Sequence, residues 1–411
     1  MIQRTWRPCE SGARERATRF GCLALALVLL HATAHAQSAA QAAAQSPAAC
    51  AAPVPRDDGW PVASPARVGI DEERLCALME RVNTATDENV HAVIIVRHGS
   101  LVFEHYAAGP DERSGTPVGR VEFGPDVKHD LRSVTKSVTS LLVGIAIDRG
   151  LIRSVDEPVF GFFPEHADLR TPEKERIRLR HLLTMSSGLA WDEAAPYRDP
   201  ATGAANPANS MTSLESTRDP NRYVLQQPVV APPGQTYNYS GGSTQLLAAI
   251  VRRASGQTLD EFARVALFER LGITDVEWNR YANGDPAAAF GLRMRPRDAA
   301  KLGQLVLARG VWQGRQIISA SWLDESTSPH LKGRPPFLYG YQWWLGRSSI
   351  ERREVRWAAG FGYGGQRLIV VPDLDLAVVV MAGLYRSPQQ IGVPRRILDE
   401  HILPAVRQQS Q

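Results

Sequence analysis

A serine and a lysine three residues apart are the side chains of this sequence best placed to do chemistry. Ser133 precedes Lys136 in the segment HDLRSVTKS, and residues i and i+3 of a helix lie on one face. A lysine ammonium removed from water has a lowered pKa, and the neutral amine can then accept a serine proton. The chain has only five lysines among its 47 lysine and arginine residues, and arginine does not act as a base at working pH. The pair therefore predicts a nucleophilic serine with its own base.

Two further segments could complete an acyl-transfer site around this serine. Such a site also needs a proton donor for the leaving group and two donors for the developing oxyanion. The segment 233–242, PGQTYNYSGG, places aromatic hydroxyls in a turn just before a helix pattern. The segment 362–366, GYGGQ, leads into a strand pattern, and its glycines let a backbone N–H approach a ligand closely.

The elements that must position these segments begin with a helix, a hairpin and a second helix. Asp71 is a candidate N-cap for a helix with an apolar face. Two β-rich runs, 92–96 and 101–106, are joined across Gly99-Ser100 and predict a hairpin. The helix that carries Ser133 is apolar almost all round and should stop at Gly150, so we expect it at the centre of the fold.

The middle of the chain has helix patterns, and its C-terminal part returns to strands. The helix patterns cover 178–185, 242–253, 259–271, 296–308 and 321–326; the strand patterns cover 340–345, 355–358, 367–371 and 376–381. A final helix should begin near Pro388. This order predicts an α+β fold, in which the N- and C-terminal parts form one antiparallel sheet flanked by helices, with a helical lobe inserted at about 150–330. The long polar segment 197–221 indicates a lid or a disordered loop, and its position favours the lid.

The N-terminus predicts export. An arginine-bearing start, a short apolar run at 22–30 and the small residues before Ala36 are typical of a signal peptide over 1–36, and hence of a periplasmic or secreted protein. The apolar run is too short to span a bilayer comfortably, and no lipobox precedes Cys50, so we expect no stable membrane anchor. An Ala/Pro-rich tract predicts a disordered spacer over 37–67 before a catalytic domain over 68–411. Cys50 and Cys76 either form a disulfide or stay unpaired.

Several classes of function lack support in the sequence. A formal charge of +4 gives no indication of nucleic-acid binding. There is no phosphate loop and no Gly-x-Ser-x-Gly elbow of the α/β-hydrolases. His98, His105, His129 and His181 lack the spacing of metal ligands, so each is interpreted as hydrogen-bonded locally, and we expect neither metal nor cofactor.

With these three segments in this order, the chain resembles the serine-reactive β-lactamase and penicillin-binding-protein superfamily, specifically its class C-like branch. The resemblance extends from about Val68 to the C-terminus. SVTK at 133–136 matches the first motif, LLTMSSGL at 182–189 is similar to the family's LLTHTSGL segment, and 233–247 is similar to its PG…YSN…LL segment. YGG at 363–365 takes the place of the third motif. The runs YSGGSTQLL, QWW at 342–344 and GQ at 365–366 look closest to 6-aminohexanoate-oligomer hydrolases, which with the family VIII carboxylesterases act on linear amides and esters.

The resemblance implies a role for each matched residue. Ser133 would attack a carbonyl and form an acyl-enzyme, while Lys136 and Tyr239 move its proton and pass one to the leaving group. The backbone N–H groups of Ser133 and Gln366 would form the oxyanion hole. Four further positions are candidates for substrate contact: Gly365, Tyr363, Gly241 and Trp344. Of the neighbours Trp343 and Trp344, at most one can face the site, since residues alternate along a strand.

Two departures from the family pattern bear on the substrate. Gly241 stands where β-lactamases carry an asparagine that orients a substrate amide, and Tyr363 stands where they carry a lysine or histidine. We therefore expect an exported serine hydrolase that acts on a small-molecule ester, amide or peptide, most simply an ester or linear amide. The alternatives are a class C-like β-lactamase, a D-amino-acid peptidase, and a non-catalytic penicillin-binding-like protein that is acylated without turnover.

Overall fold

Strands from both ends of the chain alternate with helices in the computed structural model, which describes residues 52–199, 201–350 and 353–407. The predicted signal peptide lies outside these residues. The strands are β1 (Val90–Arg97), β2 (Ser100–Tyr106), β3 (Gly109–Arg113), β4 (Thr116–Val121), β5 (His129–Asp130), β6 (Val276–Trp278), β7 (Leu292–Met294), β8 (Val311–Trp312), β9 (Arg315–Gln316), β10 (Leu331–Lys332), β11 (Leu338–Tyr339), β12 (Trp344–Ile350), β13 (Arg353–Gly362), β14 (Gln366–Val371) and β15 (Leu376–Ala382).

The helices lie mainly between β5 and β10. They are α1 (Glu72–Thr84), α2 (Val134–Asp148), α3 (Leu179–Leu183), α4 (Ser210–Ser216), α5 (Pro220–Leu225), α6 (Gly241–Ser255), α7 (Leu259–Ala263), α8 (Pro296–Leu307), α9 (Ala320–Ser326), α10 (Gln389–Arg396) and α11 (Leu403–Ala405). A π-helical turn, Arg264–Phe268, continues α7, and another, Ile397–Ile402, joins α10 to α11.

A single antiparallel sheet joins the two ends of the chain, which confirms the predicted fold class. Its eight strands run in the order β10-β11-β12-β13-β14-β15-β1-β2. The expected hairpin is present as β1 and β2, with Ala92 opposite Tyr106 and Gly99 at a φ of 72° in the turn. β1 also pairs with β15, so the first strand of the chain is held between its own hairpin partner and the last strand.

The two faces of the sheet are covered by different helices. Asp71 caps α1 by accepting from the N–H groups of Glu73 and Arg74, and the buried Leu75, Leu78 and Val82 then pack with α10 and α11 on one face. On the other face α2 is buried from Val134 to Ala146, as its all-round apolar pattern predicted. Gly144 of α2 has no room for a side chain, since a Cβ there would lie 2.3 Å from the indole of Trp322 on α9.

Three predicted boundaries are wrong. β12 begins at Trp344 rather than at 340, because Gln342 has a φ of 66° and turns the chain. The helical lobe does not extend to 330, because α8 packs on the sheet, where Gly303 lies against Ala377 and Leu368. The spacer predicted for 37–67 is ordered from residue 52 onward.

Trp60 shows why the end of that spacer is ordered. Its side chain is only 5% exposed, and its indole packs edge-on against Trp312. The indole N–H donates to the backbone oxygen of Arg297 at 3.1 Å. A single buried tryptophan therefore anchors a segment whose composition alone suggested disorder.

Cys76 is disulfide-bonded, which favours the first of the two alternatives left open by the sequence, whereas Cys50 lies outside the described residues. None of the helices in the described part of the chain is long and apolar enough to cross a membrane.

Candidate active site

Ser133 and Lys136 meet at the N-terminal end of α2. The amine Nζ of Lys136 lies 3.1 Å from Ser133 Oγ and also donates to the backbone oxygen of Ala289 at 3.0 Å. The lysine side chain is buried, and within the described residues no carboxylate forms an ion pair with it. The amine therefore points at the serine in a place screened from water, as the spacing predicted.

The chain enters this helix through a strained residue. Arg132 has a φ of 50°, a left-handed conformation that is rare outside glycine, asparagine and aspartate. Leu131 on its other side donates its N–H to the backbone oxygen of Leu292, and Asp130 forms an ion pair with Arg293 at 2.9 Å. These contacts with β7 hold the turn that presents Ser133 at the start of α2.

Tyr239 lies beside the lysine in a stack of aromatic rings. The Lys136 amine is 4.7 Å from the centre of the Tyr239 ring, over its face. The ring stacks on Trp344 at 5.8 Å, and Trp344 stacks in turn on Phe361 at 5.5 Å. Trp344 is thus covered on both faces and supports the tyrosine, while Trp343 is fully buried in the core. The structure therefore brings Ser133, Lys136 and Tyr239 together, with Trp344 supporting the tyrosine ring.

Gln342 links the segments that carry these residues. Its side-chain oxygen accepts from Thr244 of α6 at 2.8 Å, and its amide donates to the backbone oxygens of Leu182 and Leu183. Its own backbone oxygen accepts from Ser137 of α2 at 2.8 Å. The buried side-chain amide of Gln342 thereby joins α3 to α6, and its backbone oxygen joins them to α2. Gln342 therefore holds these three helices in position.

The predicted third segment lies in the turn between β13 and β14. Gln366 is buried, and its side chain exchanges two hydrogen bonds with the backbone of Ala382, at 2.6 and 3.0 Å. Its strand β14 has β13 on one side and β15 on the other. A Cβ on Gly365 would face Ala382 as well. Gln366 and Gly365 therefore face β15, because the side-chain amide of Gln366 extends the pairing of β14 with β15.

Tyr363 lies at the outer end of the same turn. Its side chain is 43% exposed, and its hydroxyl accepts from the N–H of Arg386 at 2.7 Å. The ring contacts Tyr385, whose own ring faces the guanidinium of Arg132 at 5.2 Å. Tyr363 is thus separated from Ser133 by a layer of side chains.

The end of β13, which the sequence motifs did not indicate, packs against the start of α2. A Cβ on Gly360 would lie 3.0 Å from Ser137 Oγ and from Val134 of α2. β12 begins at Trp344, opposite Ala359, so beyond that pair β13 has no strand on its β12 side. The backbone edge of β13 at Phe361 therefore has no strand beside it and faces the start of α2. The signal was available in the sequence as Gly360 and Gly362, two glycines that permit this close approach.

Gly241 begins α6 beneath two side chains from the middle of the chain. A Cβ at this position would lie 2.3 Å from the sulfur of Met211 and 3.1 Å from a carboxylate oxygen of Glu193. That carboxylate accepts from the Gly241 N–H and from the indole of Trp191. The space that an asparagine side chain would need is filled.

The long polar segment 197–221, which supplies Met211, contains α4 and the first residues of α5. The side chain of Asn209 caps α4. Glu215 of α4 is largely buried; burial raises the pKa of this carboxyl, and the nearby Tyr197 and Arg132 oppose that rise. The segment therefore places a carboxyl group near the arginine that precedes Ser133, while its role as a lid stays a prediction.

The sequence of this chain is similar to those of known proteins. The family model described as Beta-lactamase matches residues 78–399. The chain is 26% identical to the 6-aminohexanoate-dimer hydrolase of Paenarthrobacter ureafaciens over 343 residues, 80% of each chain. It is 27% identical to the lovastatin esterase of Penicillium rubens over 198 residues, 44% of this chain and 46% of that one.

Solved structures have the same fold at low identity. A structure from Bacillus anthracis, provisionally named a 6-aminohexanoate-dimer hydrolase, superimposes with a TM-score of 0.63 at 22% identity, over 83% of this chain and 85% of that one. The family match covers most of the chain, and the two curated relatives named above are a hydrolase and an esterase. The chain belongs to the Beta-lactamase family, and it is a β-lactamase-related hydrolase.

Proposed function

We propose that this protein is an exported serine hydrolase that cleaves an ester or a linear amide through an acyl-enzyme on Ser133. The observation that carries the proposal is the 3.1 Å contact between Lys136 Nζ and Ser133 Oγ in a buried setting. At that distance the neutral amine can accept the hydroxyl proton as the oxygen attacks a carbonyl carbon.

The proton then has a short path to the leaving group. The C–O or C–N bond of the tetrahedral intermediate breaks as the departing oxygen or nitrogen takes a proton from Lys136, directly or through the hydroxyl of Tyr239. Water repeats the sequence on the acyl-enzyme and regenerates Ser133. The ring of Tyr239 faces the amine at 4.7 Å, so a cation–π contact stabilises the ammonium that forms as the serine is deprotonated.

We place the oxyanion hole at the backbone N–H groups of Ser133 and Phe361. Two donors aimed at the developing negative charge are the largest single source of stabilisation in acyl transfer. Phe361 supports this assignment better than Gln366, because β13 is open toward α2 at Phe361 whereas β14 is flanked by strands on both sides.

The surroundings of the site favour linear substrates over β-lactams. Gly241 replaces the asparagine of β-lactamases, and Met211 occupies the adjacent space. The relatives named for a linear oligoamide and for an ester support the same substrate class.

The test of the nucleophile uses two serines of one helix. We expect Ser133→Ala to abolish turnover of a p-nitrophenyl ester and the acyl adduct seen by mass spectrometry. Ser140→Ala is the matched control, since the Ser140 hydroxyl is buried without a hydrogen-bond partner and its loss should leave kcat unchanged. Wild-type turnover by Ser133→Ala would show that another residue is the nucleophile.

A substrate panel separates the remaining alternatives. Esters, linear oligoamides, D-amino-acid amides and a chromogenic cephalosporin should be compared by kcat/KM on the purified protein. Faster turnover of the cephalosporin would make it a β-lactamase, and a preference for D-amino-acid amides a D-amino-acid peptidase. A permanent adduct without product release would make it an acyl-binding protein. N-terminal sequencing of the mature protein tests export, with cleavage expected after Ala36.

A further inference from the structure

Two histidines and an aspartate that are distant in sequence meet in the interior, behind the segment that leads to Ser133. His91 lies on β1, Asp111 on β3 and His129 on β5, and their side chains are at most 2% exposed. His91 Nδ1 is 3.0 Å from His129 Nε2. Asp111 Oδ1 is 4.0 Å from the first nitrogen and 3.6 Å from the second. These three atoms therefore converge on one point.

The outer nitrogen of each imidazole faces a hydrogen-bond acceptor. His129 Nδ1 lies 3.0 Å from the backbone oxygen of Asp130, which can only accept. His91 Nε2 lies 3.0 Å from Oδ1 of Asn89. The orientation of that amide is set, because its Nδ2 donates to the backbone oxygens of Pro110 and Gly383. Both outer nitrogens therefore carry the hydrogen.

The inner nitrogens are consequently left with lone pairs. A neutral imidazole has one hydrogen, so His91 Nδ1 and His129 Nε2 both present lone pairs to each other and to the Asp111 carboxylate. Three such atoms at this spacing repel one another unless a cation lies between them.

We propose that His91, Asp111 and His129 bind a divalent transition metal of the zinc class. Ligand atoms about 2.0–2.1 Å from a tetrahedral zinc lie about 3.3 Å from one another, close to the separations observed here. Metal-bound histidines typically donate their other N–H to a carbonyl or carboxylate, which is the role of Asp130 and Asn89. The hydroxyl of Tyr385 donates to Asp111 Oδ1 at 3.2 Å and so orients the carboxylate.

The backbone around this cluster is shaped to bring the three residues together. A Cβ on Gly109 would lie 2.1 Å from Asn89 Oδ1, and one on Gly383 would lie 2.3 Å from Asn89 Nδ2. Only glycine at these two positions permits the two backbone segments to approach Asn89, the residue that orients His91.

The bound metal would join β1, β3 and β5. Since β5 is followed within four residues by Ser133, the metal is a positioning element for the nucleophile and a source of stability, outside the acyl-transfer chemistry itself.

The direct test is the metal content of the full-length protein. After exposure to zinc and passage over a chelating resin, we expect about one equivalent of zinc per chain by elemental analysis. Replacement by cobalt should give the visible absorption of a tetrahedral site. Protein refolded with zinc should have a higher Tm than protein refolded with a chelator. A metal-free protein whose Tm is the same in both cases would overturn the proposal and leave a proton shared by the two imidazoles.

Variants assign the ligands. His129→Gln and Asp111→Asn should each lose the bound metal, whereas His105→Gln should keep it, because His105 is a partly exposed histidine bonded to Asn83. Ser133→Ala should bind the metal like the wild type, which separates this proposal from the proposed hydrolase activity. Retention of stoichiometric metal by His129→Gln would show that the metal lies elsewhere. The wild-type metal content and cobalt spectrum decide the question if the buried variants do not fold.

Discussion

At the scale of single residues, two neighbouring tyrosines have different surroundings. Tyr237 and Tyr239 are two positions apart, and both contact Trp344. Only Tyr239 lies against the Lys136 amine. The hydroxyl of Tyr237 is buried without a hydrogen-bond partner. The sequence motif already preferred Tyr239, and the surroundings now explain why its neighbour is a packing residue.

This difference predicts the outcome of removing each hydroxyl. Tyr239→Phe keeps the ring stack and removes the hydroxyl proposed to carry the proton, so we expect kcat for an ester to fall by about 10²–10⁴-fold with little change in Tm. Tyr237→Phe is the control, and its kcat should stay within about twofold of the wild type. Equal losses in the two variants would indicate that the phenol of Tyr239 has no part in proton transfer.

At the scale of elements, the contact between α2 and β13 decides the geometry of the site. α2 carries the proposed nucleophile and its proposed base, and β13 carries the proposed oxyanion donor Phe361. Gly360 allows the two elements to touch. The strand pattern at 355–358 predicted the middle of β13 and not its extension to Gly362. Which of its residues meets α2 depends on register and on where β12 begins, and these follow from the turn at Gln342.

A methyl group at this contact should therefore affect catalysis. In Gly360→Ala the new Cβ lies 3.0 Å from Ser137 and Val134. The strand must shift by a few tenths of an ångström, and we expect kcat to fall about tenfold or more.

The matched control is Gly303→Ala on α8, where a Cβ would meet Ala377 at the same 3.0 Å, on the sheet away from Ser133. Both variants should lose about 1–3 kcal/mol of unfolding free energy, measured by denaturant titration. An unchanged kcat in Gly360→Ala would argue against an oxyanion hole at β13.

At the scale of the whole molecule, ion pairs join α1 to α10, two helices from opposite ends of the described chain. Glu88 lies just beyond α1 and accepts from Arg81 of α1 at 2.5 Å and from Arg396 of α10 at 2.8 Å. Burial alone would raise the pKa of this carboxyl, but Arg396 and Arg81 outweigh it and hold the pKa below the ordinary value of 4.5. The folded state therefore prefers the ionised carboxylate.

The sign of the resulting pH dependence follows from this lowered pKa. Above pH 4.5 the group is ionised in both states and its full stabilisation is present, and it is lost as the pH falls through the folded-state pKa. Glu88→Gln should thus lower the unfolding free energy at pH 7 by about 1–2 kcal/mol, and the difference from the wild type should vanish at acidic pH. Glu80→Gln, an exposed change on α1, serves as the control. A difference that does not vary with pH would mean that the charge of Glu88 is not responsible.

The sequence alone predicted the fold class and the order of the elements and indicated the proposed chemistry, because these depend on residues close in the chain. The spacing of Ser133 and Lys136 on a helix, the apolar periodicity of α2 and the hairpin at Gly99 are all local. Only the tertiary structure decided which distant residues meet. It places Phe361 rather than Gln366 at the open edge of β13, and Met211 over Gly241. It also buries Trp60 in the core and brings His129 against His91 and Asp111. These contacts depend on strand register and on the close approach of the backbone at glycines, and neither is set by local sequence.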